Sequence, residues 1–199
     1  APQSRSAAVA TTITRKRSRS VQRATQVGAA RSTPEACSSC QPGGSASVDG
    51  FDVGSAPVEV RRRLGVLSDA RGLYGRLTAR ENIRYYGELR GLTPETIASQ
   101  VERFSRVLDL GALLDRRTEG FSQGERMKVA IARSLVHDPQ NILLDEPTND
   151  LDVMTTRAMR ELVRELRESG KCVLFSSHVM QEVTALCDEI VIVAHGRVA

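Results

Sequence analysis

At 199 residues and 21.7 kDa the chain has the length of one domain with a tail. Its 40% hydrophobic and 26% charged residues exclude collagen, coiled coil and membrane bundle, and apolar runs such as Ile190 to Ala194 fall far short of the ~20 residues a spanning helix needs. The net charge of +4 is unevenly placed: residues 1–48 carry seven basic groups and one acid, the rest 21 basic and 23 acidic groups, so the basic pI belongs to the tail.

Residues 1–44 contain no Phe, Tyr, Trp, Leu or Met, and Ile13 is their only Ile. That is too little apolar surface to offset a backbone ordering cost of ~1 to 2 kcal/mol per residue, so a disordered, basic, Arg/Ser/Ala-rich tail is expected. Its composition also suits a transit peptide, and RKRSRS at 15–20 suits phosphate contact. The plainest reading is a tail with no fold and no specific partner. It lacks the apolar region of a secretory signal. Cys37 and Cys40 form one C-x-x-C, but zinc needs four ligands and no second pair stands at a usable spacing. Cys172 and Cys187 read as small apolar filler, and nothing demands an oxidising compartment.

The folded part begins near Ser45. Asp49-Gly50 suits a tight hairpin turn, and Leu64 to Leu67 is a short strand candidate. Thr78-Ala79-Arg80-Glu81 is a capping box that opens a helix through Tyr85 and Leu89, stopped at Gly91. Thr93-Pro94 opens the next helix, with Ile97, Val101, Phe104 and Leu108 on one face and Gly111 as its end. There follow a helix at about 123–136, a strand at 141–145, a helix at 154–169 closed by Gly170, a strand at 172–176, a helix at 179–187 and a strand at 189–194. Strands alternating with helices, and reading as unbroken apolar runs, predict an α/β fold with a mostly parallel sheet flanked by helices. Ligands of such sheets gather beyond the C-terminal strand ends.

Three stretches carry chemistry. Asn141-Ile142-Leu143-Leu144-Asp145-Glu146 drives three aliphatics through the core and delivers two carboxylates at the strand end. Acids there suit Mg²⁺ held through water and an oriented attacking water; alone, they also suit an acidic helix cap. Phe121-Ser122-Gln123-Gly124-Glu125-Arg126 holds a second capping box, so Ser122 heads a helix whose free N–H groups and dipole favour an anion, with Gly124 allowing close approach. The plain alternative is a well-capped helix. His178 follows the strand 171–175 and the pair Ser176-Ser177; if that strand lies beside the first, its imidazole shares the rim with Asp145 and Glu146.

In that order, FSQGERMKVAIARSL (121–135), NILLDEPTNDLD (141–152) and VLFSSH (173–178) closely resemble the signature motif, Walker B plus D-loop, and H-loop of the ATP-binding subunits of ABC transporters. GLYGRLTARENIRYYGELRGL (72–92) resembles the segment after the Q-loop in the drug- or sodium-export subgroup, and the resemblance covers about residues 45–199. It implies a P-loop-NTPase-like ABC ATPase core, truncated at the N-terminal side, with a small helical subdomain at about 78–120 that docks onto membrane subunits. It implies ATP and Mg²⁺ as cofactors, with Asp145 holding the metal through water, Glu146 polarising the attacking water and His178 contacting the γ-phosphate. Asp150 to Asp152 would form the D-loop at a dimer seam, and Ser122, Gln123 and Gly124 would close over the nucleotide of a second ATP-binding subunit, identical or different. Ser68-Asp69 stands where the family usually has the Q-loop glutamine, which makes Asp69 a candidate metal contact. The implied partners are transmembrane permease subunits and the implied place is the cytoplasmic membrane face, with no specific nucleic acid expected.

One motif is missing. The phosphate loop G-x-x-x-x-G-K-[ST] needs a lysine after its glycines, and neither Lys16, Lys128 nor Lys171 fits. The aromatic that usually stacks on adenine is missing too. Three readings of the tail stand open: out-of-frame or rearranged coding sequence joined near Gly43-Gly44, a degenerate subunit lending only its signature face to a competent partner, or a real extension with its own task. Truncation at both ends is expected. Without the phosphate cradle, weak ATP binding and negligible hydrolysis are expected. The other functional classes are a nucleic-acid- or ribosome-associated ATPase using the basic tail and a non-catalytic remnant.

Overall fold

The computed structural model of the chain describes residues 9–14, 46–67, 72–149, 151–194 and 197–198. Val, Ile and Thr branch at Cβ and favour extended backbone. Such a run, Val9–Thr14, forms strand β1, which corrects the expectation that residues 1–44 are without structure. Its backbone lies antiparallel between two later strands, β6 (Cys172–Ser177) and β7 (Glu189–Ala194), with Ala10 opposite both Ser177 and Ile192. Without β1 the facing edges of β6 and β7 would leave N–H and C=O groups unpaired, and a hexapeptide rich in β-branched residues satisfies both.

Asp49 and Gly50 adopt φ of 50° and 82°, as a two-residue hairpin turn requires, and join β2 (Ser47–Val48) to β3 (Phe51–Asp52). Helix α1 (Pro57–Arg63) was not foreseen, although Pro57 at its first position and the 2.7 Å pair from Glu59 to Arg63 are both start-of-helix signals. It leads into β4 (Leu64–Leu67).

The next described elements are helical, apart from a bridge between Thr78 and Arg117. Thr78 caps α2 (Ala79–Leu89) in a complete capping box, and Gly91 takes φ of 73° just beyond it. Thr93 caps α3 (Pro94–Val107), which buries Ile97, Val101 and Phe104. That helix stops short of the expected Gly111, because Asp109 already turns left-handed at φ 52°. A short 3-10 turn at Thr118–Gly120 precedes α4 (Gln123–Leu135). Strand β5 (Asn141–Leu144), α5 (Val153–Glu168), α6 (Met180–Leu186) and the unforeseen β8 (Arg197–Val198) complete the order.

The main sheet runs β4-β5-β6-β1-β7-β8. Pairings β4–β5 and β5–β6 are parallel, and β1 is antiparallel to both β6 and β7, so β4, β5, β6 and β7 all point one way. The expected mostly parallel direction therefore holds, with β1 and β8 reversed. Burial corrects a finer expectation: the strands are not buried on both faces. Ile142, Leu144, Val173 and Phe175 are buried while Leu143 and Leu174 are half-covered. The buried face joins Ile83, Phe104, Ile131, Leu135, Met159 and Leu162 of the helices in one apolar cluster. Among the described residues no helix is long and apolar enough to cross a membrane.

Candidate functional site

The apolar residues of β5 and β6 fix the register that builds the site: Leu144 pairs with Phe175, so the next residues of both strands leave the sheet side by side. Asp145 and Glu146 emerge from one strand, Ser176 and His178 from the other. The Ser176 hydroxyl donates to Asp145 Oδ1 at 2.7 Å and accepts the Glu146 backbone N–H at 2.9 Å. His178 Nδ1 lies 2.8 Å from Glu146 Oε2. Glu146 holds a left-handed φ of 44°, a costly conformation for a non-glycine residue and one that clusters at functional positions. Asp145, Glu146 and His178 thus share one rim, as expected from the sequence.

Behind this rim lies a polar contact with no sequence signal. Glu182 of α6 is 4% exposed and accepts from the Thr148 hydroxyl and, at 3.2 Å, from Arg160 Nη2 of α5. A carboxylate so buried requires partners. These three tie the turn after Glu146 to the helices on either side of β6. Ser176 was noticed only as one of a serine pair; its position two residues before the histidine, at a strand end, was the available clue.

Ser122 heads α4 with the foreseen capping box, its N–H donating to Glu125 Oε2 at 2.7 Å and its hydroxyl accepting from Glu125 N. The Ser122 backbone N–H is the largest influence holding the Glu125 carboxyl below its usual range. Gln123 is exposed at the first helical position. Gly124 differs from expectation: a Cβ there would meet Thr155 Oγ1 at 3.0 Å and Asp152 Oδ2 at 3.2 Å, so the close approach at this glycine is made by the start of α5. Asp152 caps that helix, accepting from Thr155 N and Thr155 Oγ1, both at 2.8 Å, and the Thr155 N–H lowers its pKa most. Among the described residues no hydrogen bond joins Ser122–Glu125 to Asp145, Glu146 or His178. Asp69, Asp150, Cys37 and Cys40 lie outside the described residues. Lys171 is 8% exposed and donates to the Asp138 carbonyl at 3.0 Å, which accounts for it structurally.

The donor set fits a hydrated Mg²⁺. That ion keeps several waters and takes one or two carboxylates plus phosphate oxygens. Among the described residues Asp145 Oδ2 has no hydrogen-bond partner, and those residues hold no group of three or more His, Cys, Asp or Glu able to chelate a metal alone.

Comparison with known proteins agrees with this geometry. The family model described as ABC transporter matches residues 37–149, starting eight residues inside the expected tail. The ABC transporter ATP-binding protein NatA of Bacillus subtilis is 46% identical over 153 residues, covering 76% of this chain and 62% of that protein. The linearmycin resistance ATP-binding protein LnrL of the same organism is 32% identical over 77% of this chain and 50% of its own length. The maltose/maltodextrin import ATP-binding protein MalK of Escherichia coli is 37% identical over 69% of this chain and 38% of its own. A solved ATP binding subunit of an ABC transporter superposes with a TM-score of 0.70 at 28% identity, over 76% of this chain and 63% of that one. The chain therefore spans about three fifths or less of the length of these relatives. With the family model matching more than half of its residues, the chain belongs to the ABC transporter family, among its ATP-binding subunits.

Proposed function

We propose that the chain is an ATP-binding subunit that couples nucleotide binding and hydrolysis to transport, in export rather than import, at the cytoplasmic face of a membrane through permease partners. The observation that carries the reading is the Ser176-centred rim, where one hydroxyl holds both carboxylate positions and His178 touches the second. Export is favoured by the similarity to LnrL, whose name records resistance, and by residues 72–92; MalK, named for import, is the counterexample that makes direction a matter for test.

Asp145, fixed through Oδ1 and open at Oδ2, is the residue that would hold Mg²⁺ through water. The bound ion would neutralise phosphate charge. Glu146, steadied by His178 and by its own backbone N–H on Ser176, orients an attacking water and accepts its proton. His178, more than half exposed, is placed to hydrogen-bond a terminal phosphate. Ser122, Gln123 and Gly124 present the start of α4 to the nucleotide of a second ATP-binding subunit, with Asp150 and Asp152 at the seam and Asp69 a further metal contact. No specific nucleic acid is expected as partner.

Because no G-x-x-x-x-G-K-[ST] occurs in the 199 residues, the chain alone binds ATP weakly and turns it over negligibly. Purified chain with labelled ATP and Mg²⁺, measured for binding and turnover beside Asp145→Asn and Glu146→Gln, tests both parts. Weak binding that Asp145→Asn reduces further supports the site. Micromolar affinity with turnover abolished in Glu146→Gln overturns the expected defect, and binding indifferent to both substitutions overturns the site.

A further inference from the structure

Ten described arginines, among them Arg80, Arg103 and Arg160, lie within 4.0 Å of a carboxylate. Arg61, Arg90 and Arg133 have no such pair among the described residues, and these three converge on a single cleft of about 250 Å³ between the edge strand β4 and the C-terminal ends of α2 and α4. Among the described residues no Asp or Glu lines it. Arg90 donates to the Arg61 carbonyl; Arg133 donates to the Gly72 carbonyl and stacks 4.4 Å from the centre of the Tyr86 ring. Both guanidinium groups are thereby held in place with N–H groups left over, and burial lowers the pKa of each. His137 adds no charge at neutral pH, since burial pushes its pKa down to about 4.

The charge balance selects the ligand. Three helix C-termini, those of α1, α2 and α4, reach the cleft, each worth roughly half a negative charge, which leaves the three arginines about one and a half positive charges in excess. A phosphate group, at about −1.5 to −2 near pH 7, covers that excess where a single carboxylate leaves part of it unbalanced, and the guanidinium fork matches phosphate oxygens in pairs. None of the described residues lining the cleft belongs to the strand-end rim of Asp145, Glu146, Ser176 and His178, and the cleft sits at the far end of α4 from Ser122, roughly 20 Å along a helix of thirteen residues.

We propose that this cleft binds a phosphate dianion, free or as a phosphomonoester, through the guanidinium groups of Arg61, Arg90 and Arg133. Leu64 and Val66 give it a small apolar floor against which the carbon skeleton of an ester would rest.

The test is calorimetric titration of the full chain with inorganic phosphate and, separately, glycerol 3-phosphate, at matched ionic strength in chloride, with Arg61→Gln and Arg90→Gln as variants. Saturable binding is expected, weakened about tenfold or more in each variant, as loss of one charge-assisted contact implies. Tighter binding of glycerol 3-phosphate identifies an ester as the ligand, and equal binding identifies free phosphate. The Arg61 side chain is exposed, so that variant decides the matter if Arg90→Gln does not fold. Absence of saturable binding, binding unchanged in the variants, or capture of an acidic peptide without phosphate each overturns the proposal.

Discussion

The helical segment from α2 to α4 and the strand-end rim are held by different forces. The helices meet through Ile83, Ile97, Phe104, Ile131 and Leu135, all buried, and each begins on a side-chain cap local in sequence. The rim has few apolar contacts; its register comes from β5 and β6, but its side chains are oriented by the hydroxyl of Ser176, by His178 and by the buried Glu182. Apolar burial tolerates small shifts because it is non-directional. Hydrogen-bonded carboxylates do not, so damage to the helices should appear as lost stability and damage to the rim as lost positioning.

The largest effect separates the two regions most sharply. Phe104→Ala removes a 1% exposed ring from the helical core and should cost about 3 to 5 kcal/mol in urea unfolding. A loss under about 1 kcal/mol would mean that α3 packs far more loosely than its burial implies.

Next comes Ser176→Ala, which strips the Glu146 N–H of its acceptor and Asp145 of its donor. It should cost about 1 to 2 kcal/mol, recovered in Ser176→Thr, which keeps the hydroxyl. Equal behaviour of the two variants would remove Ser176 from its central place in the rim.

Of similar size is a pH effect at the junction of helices and sheet. His137 is held neutral by burial, its pKa down from 6.5 to about 4, so the unfolded chain takes up the proton first as pH falls. Stability is full above pH 6.5 and declines towards pH 4, by about 1 to 2 kcal/mol rather than the full value of the shift, because the ring is partly solvated. Glu125 and Asp152, whose carboxyls sit below their usual range, add stability that is present above that range and is lost as pH falls through and below it. Unfolding at pH 7 and 4.5 should show the decline, and His137→Gln should flatten it.

The smallest effect sharpens the comparison from the other side. Thr78 and Ser122 cap helices with the same reciprocal box, one away from the rim and one at the proposed site. Thr78→Ala and Ser122→Ala should each cost about 1 kcal/mol in thermal or urea unfolding. Only Ser122→Ala should also weaken ATP-dependent pairing with a second subunit; equal effects on pairing would deny Ser122 its nucleotide role.

What was legible in the sequence was what is local or periodic. The Asp49-Gly50 turn, both capping boxes, the stop at Gly91 and the apolar face of α3 depend on spacings of four residues or fewer. The short apolar runs placed β4 to β7, and the two acids at the end of β5 were visible for the same reason. The motifs then named the family, because chemistry on a terminal phosphate asks for particular residues in a particular order.

Only the tertiary structure decided the rest. Pairing across a sheet joins residues far apart in the chain, so nothing local announced that Val9–Thr14 would enter between β6 and β7, or that Ser176 would serve Asp145 and Glu146 at once. The same holds for Gly124 resting on the start of α5, and for three arginines, from α1, the end of α2 and α4, meeting in one cleft with no acid among its described lining residues. Composition counts charges, but which of them lack a counter-charge depends on where the backbone carries them.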